Sequence, residues 1–176
     1  ANWGQGPDRR CIQVLVGKKG FNMPLIVIVD DRVSNRNIFA KLAASIEADI
    51  TVRTFGDPLS ALDWLKDHTP DLVITDYKMP NLDGAEFIAR FRQLHDCEEV
   101  PVIVITVYEE RSFRLCALEA GATDFLHSPV DHHEFVTRAR NLLKLHKHQL
   151  FLASRADLLE RELQNSERTR ELALRD

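Results

Sequence analysis

Short runs of apolar, mostly β-branched residues recur along the chain, and helical segments separate them. The first run, Leu25–Val29, contains no polar residue, which is typical of a strand buried on both faces of a sheet. Similar runs at 50–55, 72–75, 100–106 and 125–126 predict four further strands. Five strand–helix units within about 120 residues indicate a parallel sheet with helices on both faces.

The segments between the strands carry the spacing and the end signals of helices. Right-handed crossovers make such an α/β chain a doubly wound, flavodoxin-like fold with a five-stranded parallel sheet. Asp57-Pro58 has the residues of a helix start, Gly121 is placed to end a helix, and Asp131 caps the last one. The predicted apolar helix faces are Ile38, Leu42 and Ile46 in 33–47, Leu59, Leu62 and Leu65 after Asp57, and Phe87, Ile88 and Phe91 in 84–94.

The last helix is predicted to continue beyond the sheet. From Asp131 to about Leu174 there is no Pro or Gly, and positions 142, 145, 149, 152, 156, 159 and 163 follow alternating three- and four-residue steps. Six of these seven are apolar, which favours a two-stranded coiled coil that weakens beyond Leu163. A solvated amphipathic helix is the alternative. We therefore predict an extension at 1–22, one domain at 23–145 and a helical coiled-coil linker at 146–176.

Composition excludes several classes of protein. The 23 Lys and Arg residues are outnumbered by 27 Asp and Glu, which argues against a general nucleic-acid binder. No apolar stretch approaches the roughly 18 residues that a membrane helix requires. The three cysteines are isolated, so a disulfide scaffold is excluded and a reducing cytoplasm is the expected location. We expect no nucleic-acid partner and no membrane partner.

Several polar residues follow the predicted strands directly. Asp30 and Asp31 come after the first strand, Asp76 after the third, Thr106 after the fourth, and Ser128 lies in the loop after the fifth. Open α/β sheets place their sites beyond the carboxyl ends of the strands. Three carboxylates at one edge repel each other unless a divalent cation offsets their charge, and hard oxygen ligands suit Mg²⁺.

These residues resemble a known family. Four segments are similar to the receiver domain of two-component response regulators, in order and with family-like spacing. They are the Asp30-Asp31 pair, Thr75–Gly84, Ile105-Thr106 and Gly121–Phe125. The resemblance covers about 24–145, and its most specific piece is Asp-Tyr-Lys-Met-Pro-x-x-Asp-Gly. It implies a bacterial regulatory domain and not an enzyme.

The resemblance implies a role for each matching position. Asp76 matches the aspartate that accepts a phosphoryl group from a histidine kinase or a phosphotransfer protein. Asp31 matches the direct Mg²⁺ ligand, Asp30 assists through water, and the backbone carbonyl of Lys78 completes the protein's share of the coordination. Thr106 matches the residue whose hydroxyl hydrogen-bonds to the phosphoryl oxygens. Phe125 matches the aromatic residue that turns inward when this hydrogen bond forms.

One position departs from the family pattern. Where the family usually has Lys before the proline that follows the fifth strand, this chain has Ser128. Serine offers one neutral hydrogen bond in place of a charge-assisted one, a difference of roughly 1 kcal/mol or more. Either the domain is phosphorylated with an altered lifetime, or it is a phosphorylation-independent pseudo-receiver that serves as a dimerisation scaffold. The intact acidic residues favour the first reading.

The expected function is a phosphorylation-controlled switch that signals through its last helix, in a homodimer, to an output domain outside this chain. Three features are similar to receivers attached to cyclic-di-GMP enzymes of the HD-GYP phosphodiesterase type: Phe55–Pro58, Ile105–Val107 and the Leu/Glu/Arg-rich helix. A GGDEF cyclase is the second candidate for the output domain. A haloacid-dehalogenase-like hydrolase is disfavoured, since residue 32 is Arg and not Asp. A nucleotide-binding enzyme is disfavoured because no glycine-rich phosphate motif is present.

Overall fold

A computed structural model describes residues 23–175 and shows the predicted alternation of strands and helices. The predicted extension at 1–22 lies outside the described residues. The strands are β1 (Leu25–Val29), β2 (Thr51–Phe55), β3 (Leu72–Asp76), β4 (Val102–Thr106) and β5 (Asp124–His127). The helices are α1 (Val33–Ala44), α2 (Pro58–Leu65), α3 (Gly84–Arg92), α4 (Arg111–Ala120) and α5 (His132–Ala173).

The five strands form one parallel sheet in the order β2-β1-β3-β4-β5, which confirms the doubly wound fold. The chain order reverses between β1 and β3, so their carboxyl ends lie side by side at the point where such sheets place ligands. Val29 of β1 pairs with Thr75 of β3, which brings the residues after β1 next to Asp76.

Alternate residues of the strands fill two apolar layers. On one face, valines of the central strands pack with α2, α3 and α4, and on the other, isoleucines pack with α1 and α5. Both faces are therefore covered, as the unbroken apolar runs predict. The predicted inward face of α3 is confirmed, since its three large apolar side chains are fully buried: Phe87, Ile88 and Phe91.

The predicted apolar face of α1 is partly wrong. Ile46 is buried, but Ile38 is 46% exposed, and the helix packs instead through Phe39 and Ala43. Phe39 stacks on Phe135 of α5 with ring centroids 5.5 Å apart. Spacing alone could not decide between two adjacent apolar rows, and the large flat ring filled the interface better than the branched side chain.

The same correction applies to α2, where the inward face is not the one predicted at its start. Leu59 is 44% exposed, whereas Ala61 is fully buried together with Leu62 and Leu65. Ala61 packs with Leu62 and Leu65 in the apolar layer that covers the central valines. The three-residue spacing of the leucines therefore predicted two of the inward residues correctly and one wrongly.

The predicted helix ends are confirmed by their hydrogen bonds. The Asp57 carboxylate accepts from the backbone N–H of Ser60 at 2.9 Å and so caps α2. The Asp131 carboxylate accepts from the N–H of Glu134 at 2.8 Å at the start of α5. Gly121 ends α4 with φ 107°, a left-handed conformation that a side chain would strain.

Residues Met23–His148 form one compact unit, and the described residues from Gln149 onward belong to a second. Within the first unit, α5 buries Phe135, Ala139, Leu143 and His146. In the second, every described side chain from 149 to 175 is exposed except Leu158, which is half-buried. No described helix combines the length and the apolar character that a bilayer span requires.

Candidate functional site

Three carboxylates meet at the carboxyl edge of β1 and β3. Asp30 and Asp31 directly follow β1, and Asp76 is the last residue of β3. One carboxylate oxygen from each residue can be chosen so that all three lie within 4.8 Å of one another. The strand register therefore produces the cluster that the sequence predicts.

Hydrogen bonds from the first turn of α1 hold Asp30 in place. The side chain is 2% exposed, and its two oxygens accept from the Arg32 N–H at 2.8 Å and from the Asn35 amide at 3.0 Å. The Arg36 guanidinium donates to the Asp30 carbonyl at 2.6 Å. Burial raises the pKa of Asp30 in spite of these donors. Asp31, by contrast, is exposed.

The Asp76 carboxyl has a strongly shifted pKa. Burial is the largest cause, and with the negative charge of Asp30 and a smaller contribution from Asp31 it raises the pKa of Asp76 to about 6. The N–H of Tyr77, which donates to the carboxylate at 2.8 Å, and the charge of Arg32 act in the opposite direction. The ionised cluster is therefore costly without a cation.

A glycine shapes the loop that follows β3. The Gly84 N–H donates to the Tyr77 carbonyl at 2.6 Å, which closes the loop back onto the end of the strand. A Cβ at position 84 would lie 2.8 Å from the Asp76 carbonyl oxygen and 2.9 Å from the Tyr77 Cα. Because backbone atoms cannot give way, only glycine fits here. The closed loop places Lys78 beside Asp76.

The opposite side of the site comes from the ends of β4 and β5. Thr106 is 6% exposed, and its hydroxyl oxygen accepts from the N–H of Tyr108 at 3.0 Å. The Thr106 carbonyl accepts from the N–H of Ser128 at 2.9 Å, which fixes the loop after β5 against β4. Thr106 and Ser128 are therefore anchored next to each other, and neither carries a charge.

A pocket at this edge brings several of the predicted residues together. Asp30, Asp76, Lys78 and Ser128 line it, while Asp31 and Thr106 are not among its lining residues and lie beside it. Phe125 does not line it either: its half-buried ring packs against the apolar layer of α2, α3 and α4. The remaining lining residues are Arg32, Asn35, Ile105, Val107 and Tyr108.

Sequence reasoning gave no role in this pocket to Arg32, Asn35 or Tyr108. Asn35 lies in the first turn of α1, and that turn follows an acidic pair, so its position was a usable signal. Tyr108 comes two residues after Thr106, and its ring contacts the Lys78 ammonium. No spacing in the sequence indicates this contact. The contact depends on how two loops converge.

The donor set fits a hard divalent cation. Carboxylate oxygens are the ligands that Mg²⁺ prefers, and a site with one or two protein carboxylates leaves positions for water and phosphate oxygens. The closely spaced oxygens and the raised pKa of Asp76 are what an acidic site shows when its charge is unbalanced. The residues thus suit an ion that also binds a phosphoryl group.

The chain is similar in sequence to known proteins. The family model described as the response regulator receiver domain matches residues 26–140. The chain is 41% identical over 138 residues, 78% of the chain and 36% of the relative, to the cyclic di-GMP phosphodiesterase response regulator RpfG of Xanthomonas campestris pv. campestris (strain 8004). It is 32% identical over 120 residues, 68% of the chain and 50% of the relative, to response regulator MprA of Mycobacterium sp. (strain KMS). The chain thus spans between about a third and a half of these relatives' length.

Solved structures share the fold. The receiver domain of an HD domain-containing protein from Pseudomonas fluorescens Pf-5 aligns with a TM-score of 0.65 and 24% identity, over 71% of this chain and 98% of that one. A CheY-like receiver domain protein from Methanospirillum hungatei JF-1 aligns with a TM-score of 0.66 and 19% identity, over 72% of this chain and 98% of that one. At these identities the likeness is one of fold alone.

Proposed function

The chain belongs to the response regulator receiver family, and on that premise we propose that it is a switch whose phosphoacceptor is Asp76. The observation that carries the proposal is the convergence of three carboxylate oxygens within 4.8 Å at the ends of β1 and β3. Among them, Asp76 is the last residue of strand β3 and lines the pocket, and its pKa is raised to about 6. A carboxylate with a pKa of about 6 is still ionised at neutral pH and can act as a nucleophile.

The proposed reaction is a phosphoryl transfer from a histidine of a kinase or of a phosphotransfer protein. An Asp76 carboxylate oxygen attacks phosphorus, an O–P bond forms while the N–P bond breaks, and the imidazole leaves with the electron pair. The Thr106 hydroxyl, whose oxygen already accepts from a backbone N–H, donates its proton to a phosphoryl oxygen. Mg²⁺ held by Asp30, Asp31, Asp76 and the Lys78 carbonyl would neutralise charge on the phosphoryl oxygens.

Two further residues are proposed to act after transfer. Ser128 lines the pocket and supplies a hydroxyl where the family usually has a lysine. Phe125 on β5 is the proposed aromatic switch; its ring is half-buried, with the Arg114 guanidinium carbon 5.7 Å from the ring centroid. A change at Thr106 reaches Phe125 through β4 and β5, because Val104 pairs with Phe125 in the sheet. The switch shifts an existing equilibrium between two states.

For signal output, we propose a receiver at 23–145 and a coiled-coil linker at 146–176 that pairs in a homodimer. The supporting observation is the row of exposed leucines along α5, which includes Leu145, Leu152, Leu159 and Leu163. The proposed output is a cyclic di-GMP phosphodiesterase of the HD-GYP type, supported by the 41% identity to a protein of that activity. The proposed location is the cytoplasm of a bacterium, where a kinase can reach the domain.

Labelling with a small phosphodonor tests the phosphoacceptor directly. The chain is incubated with acetyl phosphate and Mg²⁺, and the phosphorylated fraction is read by phosphate-affinity electrophoresis and intact mass. Wild type should be labelled, Asp76→Asn should lose all labelling, and the matched control Asp63→Asn, an exposed carboxylate on α2, should be labelled like wild type. Labelling of Asp76→Asn at the wild-type level would overturn the assignment. Folded wild type that takes no label would favour the scaffold.

A further inference from the structure

The pocket holds two cations that the proposed chemistry has not used. Arg32 and Lys78 are the positively charged residues among those that line it, and they stand with Asp30, Asp76 and Ser128. A phosphoryl group on a carboxylate adds negative charge to a site that is already acidic. The neutral Ser128 offers it a hydroxyl only, so any charge that pairs with the phosphoryl oxygens must come from other lining residues.

The Lys78 ammonium lies on an aromatic wall of the pocket. Its Nζ is 4.2 Å from the ring centroid of Tyr108, which also lines the pocket, and 5.9 Å from that of Phe113. Among the described ion pairs, none involves Lys78. An exposed cation–ring contact is weak and is readily exchanged for an anionic partner. Lys78 therefore carries a charge that is near Asp76 and not already committed to a carboxylate.

The Arg32 guanidinium acts on the cluster in a different way. Its charge lowers the pKa of both Asp30 and Asp76, although burial and repulsion outweigh this effect. Its backbone N–H donates to the Asp30 carboxylate, which fixes the backbone of Arg32 at the start of α1. Arg32 thus offsets part of the carboxylate charge, while the Lys78 ammonium contacts a ring of the pocket wall.

We propose that Lys78 leaves the Tyr108 ring and pairs with the phosphoryl oxygens on Asp76, supplying the positive charge that Ser128 lacks, with Arg32 as a second cation. This inference rests on the proposed function. Lys78 would then contribute twice, through its backbone carbonyl to the metal site and through its ammonium to the phosphoryl group. Tyr108 holds the ammonium at the pocket wall until the anion arrives.

His127 is another basic side chain near this edge, and the structure disfavours it. Its side chain is 51% exposed and lies 3.4 Å from the Glu109 carboxylate, and it is not among the residues that line the pocket. In β5 it pairs with Thr106, whereas Ser128, the next residue, lies after the strand and lines the pocket. Lys78 is therefore the better placed of the two.

Binding of beryllofluoride in the presence of Mg²⁺, measured by calorimetric titration, tests the proposal without a kinase. We expect Lys78→Gln to weaken beryllofluoride binding about tenfold, the size of a lost charge-assisted bond. Lys78→Arg should retain most of the affinity. Lys66→Gln, which removes an exposed lysine at the carboxyl end of α2 and not among the residues that line the pocket, is the matched control and should bind like wild type.

A rescue experiment separates charge supply from a structural role. Ser128→Lys should restore binding in the Lys78→Gln background but change the wild-type affinity little, since wild type already has a cation there. Arg32→Gln should reduce affinity in both backgrounds. Mg²⁺ affinity without beryllofluoride should not fall in Lys78→Gln, because the backbone carbonyl remains and the variant removes a positive charge that repels the ion.

Two negative results have different meanings. Wild-type protein that binds Mg²⁺ but no beryllofluoride would sink the proposed function itself. Beryllofluoride binding that is lost in Asp76→Asn but is as tight in Lys78→Gln as in wild type would leave the phosphoacceptor standing and overturn only the role of Lys78. A Lys78→Gln defect that Ser128→Lys does not repair would overturn it as well, since the loss would then come from altered structure and not from charge.

Discussion

The two sides of the pocket are built by different means. On the side of β1 and β3, three carboxylates are brought together by adjacent strands, and two of them are substantially buried with raised pKa values. On the side of β4 and β5, Thr106 and Ser128 are uncharged and are positioned by backbone hydrogen bonds. One side accumulates electrostatic repulsion before any ligand binds, whereas the other only offers hydrogen-bond donors.

With the proposed function, this difference predicts that the acidic side binds the cation and the neutral side recognises the phosphoryl group. Repulsion among buried carboxylates is relieved by a cation, so the acidic side gains most from Mg²⁺. Neutral hydroxyls gain nothing from a cation and act only when phosphoryl oxygens are present. Substitutions on the two sides should therefore affect two different binding constants.

The largest effect is expected on the acidic side, from Asp31→Asn. Asp31 is exposed, so the fold should tolerate the change, but a charged oxygen ligand is lost. Mg²⁺ affinity should fall by about 10–100-fold, the range seen when groups that support a metal site are removed. Titration followed by Tyr or Trp fluorescence measures it, with Asp63→Asn as the control. Equal Mg²⁺ affinity in wild type and Asp31→Asn would remove Asp31 from the metal site and weaken the comparison.

Proton competition on the acidic side gives the next largest effect. Because the pKa of Asp76 is raised to about 6, the carboxylate is ionised above that pH and takes up a proton below it. Mg²⁺ affinity should therefore fall about tenfold per pH unit below about pH 6 and level off above about pH 7. Asp76→Asn, which has no such proton, should show a flatter profile. A wild-type profile as flat as that of the variant would place the titrating proton elsewhere.

Thr106→Val probes the neutral side with almost no change of shape. Loss of one hydroxyl donor should weaken beryllofluoride binding by roughly tenfold, and it leaves the Tyr108 N–H without its acceptor, which costs about 1 kcal/mol of stability. Mg²⁺ affinity without beryllofluoride should stay at the wild-type value. A parallel loss of Mg²⁺ affinity would mean that the two sides are not independent.

The fold was predictable because its signal is repeated. Five apolar runs and the strand–helix alternation define a parallel sheet, and local chemistry marked the ends at Asp57, Gly121 and Asp131, as their hydrogen bonds and backbone angles show. The inward faces of α1 and α2 were harder. Ile38 and Phe39 are adjacent in the chain and both apolar. Only packing against Phe135 of α5, about a hundred residues away, decides which of them turns inward.

The residues that follow the strands were predictable from sequence, and the contacts between the loops were not. Asp30, Asp31 and Asp76 follow directly from where strands end, since parallel strands share an edge. The place of Lys78 against Tyr108 depends on the paths of two loops. No periodic pattern encodes such a path, because each loop is closed by particular hydrogen bonds, for example that from the Gly84 N–H to Tyr77.

The smallest effect, on stability, tests whether the repulsion on the acidic side is real. The fold raises the pKa of Asp76 from 3.8 to about 6, so between these values the folded protein binds more protons than the unfolded chain. The stability linked to that proton is fully present below pH 3.8 and is lost as the pH rises through about 6. Without Mg²⁺, Asp76→Asn should therefore melt about 2–4 °C above wild type near pH 8, the shift that about 1 kcal/mol gives a domain of this size.

The same comparison near pH 4 supplies the control for this prediction, because the folded wild type is then protonated at Asp76 and resembles the amide. The gap in melting temperature should close there, and saturating Mg²⁺ near pH 8 should reverse it, since the cation binds more tightly to the protein that retains the carboxylate and stabilises it more. Asp63→Asn should show neither change. A difference in melting temperature that is the same at both pH values would mean that the amide of Asp76→Asn packs better in this pocket than the carboxylate does. The acidic side would then differ from the neutral side in composition but not in electrostatic repulsion.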